Sequence, residues 1–233
     1  MTVSPVTFDR IRGIVFDLDG TLIDSYDAIA ESLNHAMEKA GMSPLSVDEV
    51  RGMVGMGLET LIARAMGEEW VEEGVRVFRA RYDRICVAKT TLLPQVAETL
   101  EELHRRGYGM SVATNKPSYF AGRLLESLRV RRYLTAVLGP DVVENKKPHP
   151  EMVLKAMEMM EVSPDETLYV GDMEVDVETA RAAGVKVVVL PTGSRTMEAL
   201  RESGPDLLIG SFADLLQILP AITPRSRPEE PAA

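Results

Sequence analysis

The sequence predicts an α/β protein built on a doubly wound parallel sheet, with an all-α cap domain inserted after the first strand. An apolar segment near the start, Ile14–Phe16, is typical of a buried strand. Beyond Pro94, strand-like and amphipathic helical segments alternate, which indicates a parallel sheet covered by helices on both faces. Between roughly residues 24 and 89 the apolar periodicity indicates only helices, so this segment interrupts the sheet.

The predicted catalytic core comprises residues 1–23 and 90–219, and its first strand spans 12–17. Gly107 and Gly184 each end a helical segment, and Pro117 lies in the first turn of another. Residues 220–233, rich in Pro, Arg and Glu, are predicted to be a disordered tail. The later core segments, in order, are helix Gln95–Arg106, strand Tyr108–Ala113, helix Lys116–Leu128, strand Leu134–Leu138, helix His149–Met160, strand Thr167–Gly171, helix Val175–Ala183, strand Val185–Leu190, helix Thr196–Glu202, strand Asp206–Ile209 and helix Phe212–Leu219.

The predicted α-helical cap comprises residues 24–89. Ser46 followed by Glu49 has the spacing of a capping box and opens one helix. The glycines of Gly52–Gly57 are in the wrong order for a dinucleotide-binding fingerprint, and no strand precedes them. The other helical segments are Ser25–Ala40, Leu58–Met66 and Trp70–Val87.

The composition is that of an ordinary globular protein, with 45% hydrophobic and 27% charged residues among 233. A formal net charge of −10 argues against a nucleic-acid-binding or membrane-binding surface. The single cysteine, Cys86, excludes an internal disulfide and a thiolate metal cluster. Residues 1–10 lack the pattern of a signal peptide, and the longest apolar run is far too short to span a bilayer. We therefore expect a cytoplasmic protein.

Two carboxylates follow the first strand. Asp17 and Asp19 share one face in extended geometry, while Leu18 points back into the core. Gly20 then allows a sharp turn. A bare Asp-x-Asp pair is common on solvated turns, but two like charges at the end of an apolar strand favour a cation between them.

Polar residues follow other predicted strands, where ligands bind in doubly wound sheets. Taken singly, Thr114 is typical of a helix cap, Lys147 of a solvated lysine, and Asp172 and Asp176 of acids near a helix start. Thr114 is followed by Asn115, so a hydroxyl and an amide would stand at the same edge as the carboxylates and the lysine. Together these groups are what phosphoryl transfer requires: oxygen ligands for a hard cation, a nucleophile, and donors to the phosphate oxygens.

The motifs as a set resemble those of the haloacid dehalogenase superfamily of phosphotransferases. Asp17–Thr21 resembles its first motif, Thr114 after an apolar strand its second, Lys147 before Pro148 its third, and Gly171–Asp176 its fourth. The order and rough separation hold from about residue 12 to residue 185. The helical insert resembles the small cap of one branch of this superfamily.

Within that branch, Thr21 and the segments 54–57 and 145–150 look most like bacterial phosphoglycolate phosphatases. The resemblance implies a Mg²⁺-dependent phosphomonoesterase, with 2-phosphoglycolate as the expected substrate. Two departures concern the substrate rather than the chemistry. Met173 stands where Ser or Thr is frequent, and 191–196 lacks an aromatic-rich loop.

The resemblance also implies a metal site. We expect Mg²⁺ to be held by the side chains of Asp17 and Asp172 and by the backbone carbonyl of Asp19. Asp176 is expected to orient a metal-bound water without touching the ion.

The resemblance also implies catalytic roles for individual residues. Asp17 is expected to attack phosphorus and become an aspartyl-phosphate, while Asp19 gives a proton to the leaving group and later takes one from water. Thr114, Asn115 and Lys147 are expected to bind the transferring phosphoryl group, and Lys147 should also lower the pKa of Asp17.

The cap is expected to close over the site and supply specificity. Gly55 and Gly57 would face the substrate and offer backbone N–H groups to a small carboxylate. Arg51 and Arg64 are either carboxylate ligands or solvated arginines. No lysine lies between Lys39 and Lys89, so the cap cannot supply the Schiff-base lysine of a phosphonate hydrolase.

Several alternatives remain open at this point. A related phosphatase could act on pyrophosphate, a sugar phosphate or a nucleotide monophosphate, and a non-catalytic regulator could share the fold. A response-regulator receiver is disfavoured, because its acceptor aspartate follows a later strand and it has no cap. The expected partner is a small phosphorylated metabolite, with no nucleic acid or membrane, and either a monomer or a homodimer is compatible with the sequence.

Overall fold

The computed structural model describes residues 8–222. Its strands are β1 (Gly13–Phe16), β2 (Ile23–Asp24), β3 (Thr91–Leu92), β4 (Gly109–Ala113), β5 (Ala136–Leu138), β6 (Thr167–Gly171), β7 (Lys186–Val189) and β8 (Leu207–Leu208). Its α-helices are α1 (Tyr26–Lys39), α2 (Val47–Met53), α3 (Leu58–Met66), α4 (Val71–Ile85), α5 (Val96–Arg105), α6 (Ser118–Ser127), α7 (Glu151–Met160), α8 (Glu174–Ala182), α9 (Met197–Glu202) and α10 (Leu215–Ile218).

Six strands form one parallel sheet in the order β5-β4-β1-β6-β7-β8. The first strand lies in the middle, with β4 on one side and β6 on the other, so the chain reverses its direction of winding there. Phe16 lies opposite both Val112 and Val170. The carboxyl ends of these three neighbouring strands are therefore level, which is where a doubly wound sheet binds its ligands.

The core lies on both faces of the sheet. Ile14 and Phe16 belong to one cluster of buried apolar side chains, and Val15 between them belongs to a second. Alternate residues of a strand point to opposite faces, so a strand buried on both faces is apolar throughout. The predicted doubly wound parallel sheet with an inserted helical domain is confirmed.

Helices α1–α4, here called the helical insert, lie between β2 and β3. The predicted capping box is present, because the Ser46 hydroxyl accepts from the Glu49 N–H and the Glu49 carboxylate accepts from the Ser46 N–H. Helix α1 packs along α4, and the buried side chains between the helices include Leu33 and Phe78.

The short antiparallel pair of strands β2 and β3 was missed by sequence reasoning. The chain leaves and re-enters the core through β2 and β3, which pair antiparallel with Ile23 opposite Leu92. A two-residue strand has too few positions to show alternation, so the sequence predicts neither β2 nor β3.

Of the predicted tail, residues 223–233 lie outside the described residues. Residues just before them contact the core: the Tyr108 hydroxyl donates to the carbonyl of Pro220 at 2.7 Å, and the Ile222 N–H donates to the carbonyl of Arg106 at 3.1 Å. In the described part of the chain, every helix is too short or too polar to cross a bilayer.

Candidate active site

The structure brings together side chains that follow the level ends of the three central strands. Asp17 follows β1, Thr114 follows β4, and Asp172 follows β6, and all three are buried. This convergence results from the parallel register described above rather than from proximity in sequence.

Lys147 reaches the same place from the loop before α7. Its side chain is 1% exposed, and its Nζ donates to Asp17 Oδ1 at 2.7 Å, to Asp176 Oδ1 at 2.8 Å and to the Tyr169 hydroxyl at 3.1 Å. Three acceptors satisfy all the hydrogens of an ammonium group. Asn115 holds the backbone of this lysine, because its Oδ1 accepts from the Lys147 N–H at 3.0 Å.

Asp172 and Asp176 differ in what they contact. Asp172 Oδ1 accepts from the Thr21 hydroxyl at 2.6 Å, whereas its buried Oδ2 has no hydrogen-bond partner among the described residues. Asp176 Oδ2 accepts from the N–H groups of Asp172 and Met173, both at 3.0 Å, and its Oδ1 accepts from Lys147. Asp176 therefore orients its neighbours, while Asp172 has an oxygen available for a ligand.

This set of side chains fits a bound cation. Asp17, Asp172 and Asp176 each offer a carboxylate oxygen, and these oxygens lie within 4.8 Å of one another. Carboxylate oxygens are the preferred ligands of hard divalent ions. The positive charge of one lysine cannot balance the negative charges of three buried carboxylates. A bound cation would add positive charge and would also give the unpartnered oxygen of Asp172 a partner.

Burial and the neighbouring charges shift the pKa values of the side chains in this cluster. Burial raises the pKa of Asp17 to about 7, although the ammonium of Lys147 acts in the opposite direction. Burial, together with the charges of Asp17 and Asp176, raises the pKa of Asp172 well above its usual range. Burial alone would lower the pKa of Lys147, but the attraction of Asp17 and Asp176 outweighs it and raises that pKa. The expected lowering of the Asp17 pKa by Lys147 is present as a contribution, and burial exceeds it.

Asp19 lies apart from this cluster and contacts different groups. Its Oδ1 accepts hydrogen bonds from the Ser25 hydroxyl and from Lys116 Nζ, the latter at 2.9 Å. The same ammonium donates to the hydroxyl of Tyr82, on α4 of the insert, also at 2.9 Å. These contacts involve the side chain of Asp19. The role expected of its backbone carbonyl, as a ligand of the metal, stays a prediction.

Sequence reasoning assigned no role to Lys116 or Tyr82. Lys116 was noted with Thr114 and Asn115 as part of a polar triplet at a strand end, but only the first two were given functions. Tyr82 gave no signal, because an aromatic residue on the apolar stripe of a helix is typical of core packing.

Thr114 is not the cap of the following helix. Its hydroxyl accepts from the Lys116 N–H at 3.2 Å, whereas α6 begins at Ser118 after Pro117. The buried hydroxyl therefore shapes the loop at the end of β4.

The glycine loop of the insert does face the core. Asn115 Nδ2 donates to the carbonyl of Gly55 at 2.9 Å, and Lys146 Nζ donates to the carbonyl of Met56 at 2.9 Å. A Cβ at Gly55 would lie 2.5 Å from the sulfur of Met173, so the residue that departs from the family pattern fills space against this loop.

A cavity lies between the core and the insert. Asp17, Asp19, Thr114, Asn115, Gly55 and Gly57 are among the residues that line it. The two arginines considered from the sequence do not line it: Arg51 stacks over the ring of Tyr26 at 4.4 Å, and Arg64 is exposed.

Comparisons with known proteins agree with this geometry. The family model for haloacid dehalogenase-like hydrolases matches residues 14–190. Phosphoglycolate phosphatase of Salmonella paratyphi A is 37% identical over 234 residues, covering 90% of this chain and 93% of the relative. The Escherichia coli protein of the same name is 36% identical over 236 residues, covering 91% and 94%.

A solved structure gives the same result. The crystal structure of a predicted phosphoglycolate phosphatase from Haemophilus somnus superposes with a TM-score of 0.81 at 30% identity, covering 90% of this chain and 98% of that one. The expected family and the expectation of an enzyme are thereby confirmed. The chain belongs to the haloacid dehalogenase-like hydrolase family and is a phosphatase.

Proposed function

We propose that the protein hydrolyses 2-phosphoglycolate to glycolate and phosphate, through a phosphoryl group carried transiently on Asp17. The observation that carries this proposal is the hydrogen bond of 2.7 Å between Lys147 and Asp17, made at a strand end inside a buried acidic cluster. The substrate is suggested by the names of the two relatives described above, both phosphoglycolate phosphatase.

Mg²⁺ is the cation we propose for the cluster. Asp17 and Asp172 would hold it with their carboxylates, together with the carbonyl of Asp19. When bound, it would offset negative charge on the carboxylates and on the phosphate. Asp176, whose oxygens accept from Lys147, Asp172 and Met173, would keep the other groups in place.

The chemical steps are carried by two aspartates. Asp17 attacks phosphorus as a carboxylate, the ester bond breaks, and a proton from Asp19 goes to the departing oxygen. Asp19 then takes a proton from the water that attacks the aspartyl-phosphate, which returns both residues to their starting state. The hydrogen bonds of Asp19 to Ser25 and Lys116 fix its carboxylate for this exchange.

The transferring phosphoryl group needs donors to its oxygens. Lys147 and Thr114 stand beside Asp17, and both are buried, so their interactions with a developing charge would be only weakly screened. Asn115 ties the lysine loop to the glycine loop, since it contacts the backbone of both Lys147 and Gly55. The helical insert covers these groups and is proposed to act as the cap that excludes water.

Two measurements test the proposal. Acid quenching during turnover of ³²P-labelled substrate should leave label on the peptide that contains Asp17, and label on any other residue would contradict the mechanism. A panel of phosphorylated metabolites, compared by kcat/KM with Mg²⁺, should rank 2-phosphoglycolate first. A preference for pyrophosphate, a sugar phosphate or a nucleotide monophosphate would overturn the assigned substrate while leaving the chemistry intact.

A further inference from the structure

The cavity between core and insert has one polar end and one apolar side. The apolar side is formed by the insert and by α6, and includes Leu61, Phe78 and Phe120. Near Asp19, however, the cavity is lined by the side chains of Lys116 and Tyr82. The Lys116 ammonium is paired with the Asp19 carboxylate, so a further anionic ligand would have to use whatever donor capacity this pair leaves.

Lys116 still has a hydrogen to donate. Its side chain is 8% exposed, and the acceptors that the described part of the chain offers its Nζ are Asp19 Oδ1 and the Tyr82 hydroxyl, each at 2.9 Å. An ammonium carries three hydrogens, so two acceptors leave one. Lys147 provides a contrast, because three acceptors surround its Nζ.

Tyr82 presents a second donor at the same point. Its hydroxyl oxygen accepts from Lys116, and none of the described residues accepts the hydrogen of that hydroxyl. Tyr82 is 2% exposed, so bulk water does not easily take the place of an acceptor. An N–H and an O–H therefore stand side by side at the edge of the cavity, and together they match the two oxygens of a carboxylate.

Two other cations near the cavity, Lys146 and Arg51, do not line it. Lys146 donates to the carbonyl of Met56 at 2.9 Å and does not line the cavity. Arg51 stacks on Tyr26 and lies 3.7 Å from a carboxylate oxygen of Asp24. Lys116 is thus the cation best placed for a second anionic group of the substrate.

We propose that Lys116 and Tyr82 form the receptor for the substrate's carboxylate, an inference that rests on the function proposed above. In a 2-phosphocarboxylate a single carbon separates the ester oxygen from the carboxylate. The carboxylate must therefore lie close to the group that protonates the ester oxygen, and Lys116 touches that group, Asp19. The ammonium also offsets the repulsion between Asp19 and the incoming carboxylate.

The receptor spans two parts of the molecule. Lys116 belongs to the core loop after β4, and Tyr82 belongs to α4 of the insert. A carboxylate bound by both would join core and insert, so the substrate's own charge would hold the insert closed over the phosphoryl group. Phosphate esters without a carboxylate would lack this link.

The test compares two substrates in the wild-type protein, two variants and one control variant. For the wild-type protein, Tyr82→Phe and Lys116→Met, kcat/KM is measured with 2-phosphoglycolate and with ethyl phosphate, which has the same ester and no carboxylate. The ratio of the two values should fall about 10-fold in Tyr82→Phe and about 100-fold in Lys116→Met, as expected for lost hydrogen bonds to a charged group. Arg64→Met, which removes an exposed positive charge from the insert, should leave the ratio unchanged.

The outcomes separate the two proposals. If the wild-type protein favours 2-phosphoglycolate and the ratio stays constant in both variants, the receptor is overturned and the proposed function stands. If the wild-type protein does not favour the carboxylate-bearing ester, the proposed function fails and the receptor fails with it. Should Lys116→Met not fold, as judged by circular dichroism, Tyr82→Phe decides alone, since it removes one hydroxyl and keeps the Lys116–Asp19 pair.

Discussion

The two halves of the active-site cavity are built in opposite ways. The half that belongs to the core, here called the floor, comprises Asp17, which lines the cavity, and the buried cluster of Lys147, Asp172 and Asp176 next to it. The roof, formed by the helical insert, is mostly apolar and reaches the core through its glycine loop and Tyr82. We propose that phosphoryl transfer takes place at the floor, whereas recognition of the substrate's carboxylate involves the roof together with Lys116 of the core.

The largest expected effect comes from the floor. Asp17→Asn removes the proposed nucleophile and keeps the shape of the side chain, so kcat should fall by about four orders of magnitude or more, because the covalent route would be lost. Steady-state kinetics with 2-phosphoglycolate, combined with acid trapping of labelled phosphate, measures this. Binding of the substrate should persist, and a variant that retained a tenth of the activity would refute the role of Asp17.

Two adjacent lysines allow the halves to be compared directly. Lys147 contacts the floor, whereas Lys146 donates to the roof at the Met56 carbonyl. Lys147→Gln should lower kcat by roughly 10³-fold, since it removes a charged donor from the proposed phosphoryl site. Lys146→Gln removes the same charge and should change KM by less than about 10-fold, with kcat nearly unchanged, because it loosens only one contact of the glycine loop.

Equal losses of kcat in the two lysine variants would contradict the division into floor and roof. Thermal unfolding serves as the control for Lys147→Gln. Removing this lysine leaves buried carboxylates unpaired, so its melting temperature should also fall, and the kinetic comparison is valid only at temperatures where both variants are folded.

The floor was far easier to predict from the sequence than the roof. Asp17, Thr114 and Asp172 follow apolar strands, and in a parallel sheet the ends of neighbouring strands meet whatever the intervening chain does. Strand β6 and helix α3 were predicted to the residue, because each has a strong apolar pattern and a clear boundary. The resemblance to a family supplied the roles, which the residues alone did not.

The roof depends on contacts between segments that no local pattern reveals. The link from Tyr82 to Lys116 joins positions 34 residues apart and arises from how α4 packs over the core. The β2–β3 ribbon was missed for a similar reason, since two short segments become strands only by pairing with each other. Lys147 acts to lower the Asp17 pKa as expected, but burial outweighs it and the pKa is raised, because desolvation depends on the whole fold.

The floor should make stability depend on pH when no metal is bound. Since the Asp17 pKa is raised to about 7, the folded state binds a proton that the unfolded state releases near pH 4. This contribution to stability is present at low pH and is lost as pH rises through about 7. Asp17→Asn lacks the titration, so its melting temperature relative to wild type should increase between pH 5 and pH 8 in EDTA, by roughly 5–10 °C.

Mg²⁺ should reverse this trend in the wild-type protein, because a cation stabilises the ionised carboxylates and binds only the folded state. Differential scanning calorimetry with EDTA and with MgCl₂ measures both effects. Tyr82→Phe, which alters the roof alone, should follow the pH dependence of the wild type. A pH-independent difference between Asp17→Asn and wild type would show that the carboxyl group does not titrate in this range.

The smallest expected effect lies at the roof's glycine loop, where Gly55 has φ +126° and faces Met173. Gly55→Ala should raise KM for 2-phosphoglycolate about 3–10-fold and leave kcat within about 3-fold, because backbone strain of about 1–2 kcal/mol displaces the loop without touching the floor. The new methyl group also meets the Met173 sulfur, a flexible side-chain end. The double variant Gly55→Ala/Met173→Ala should therefore recover part of the loss, measured as a double-mutant cycle in kcat/KM. Recovery would assign the methionine to shaping this loop, whereas strict additivity would assign the whole effect to the backbone of Gly55.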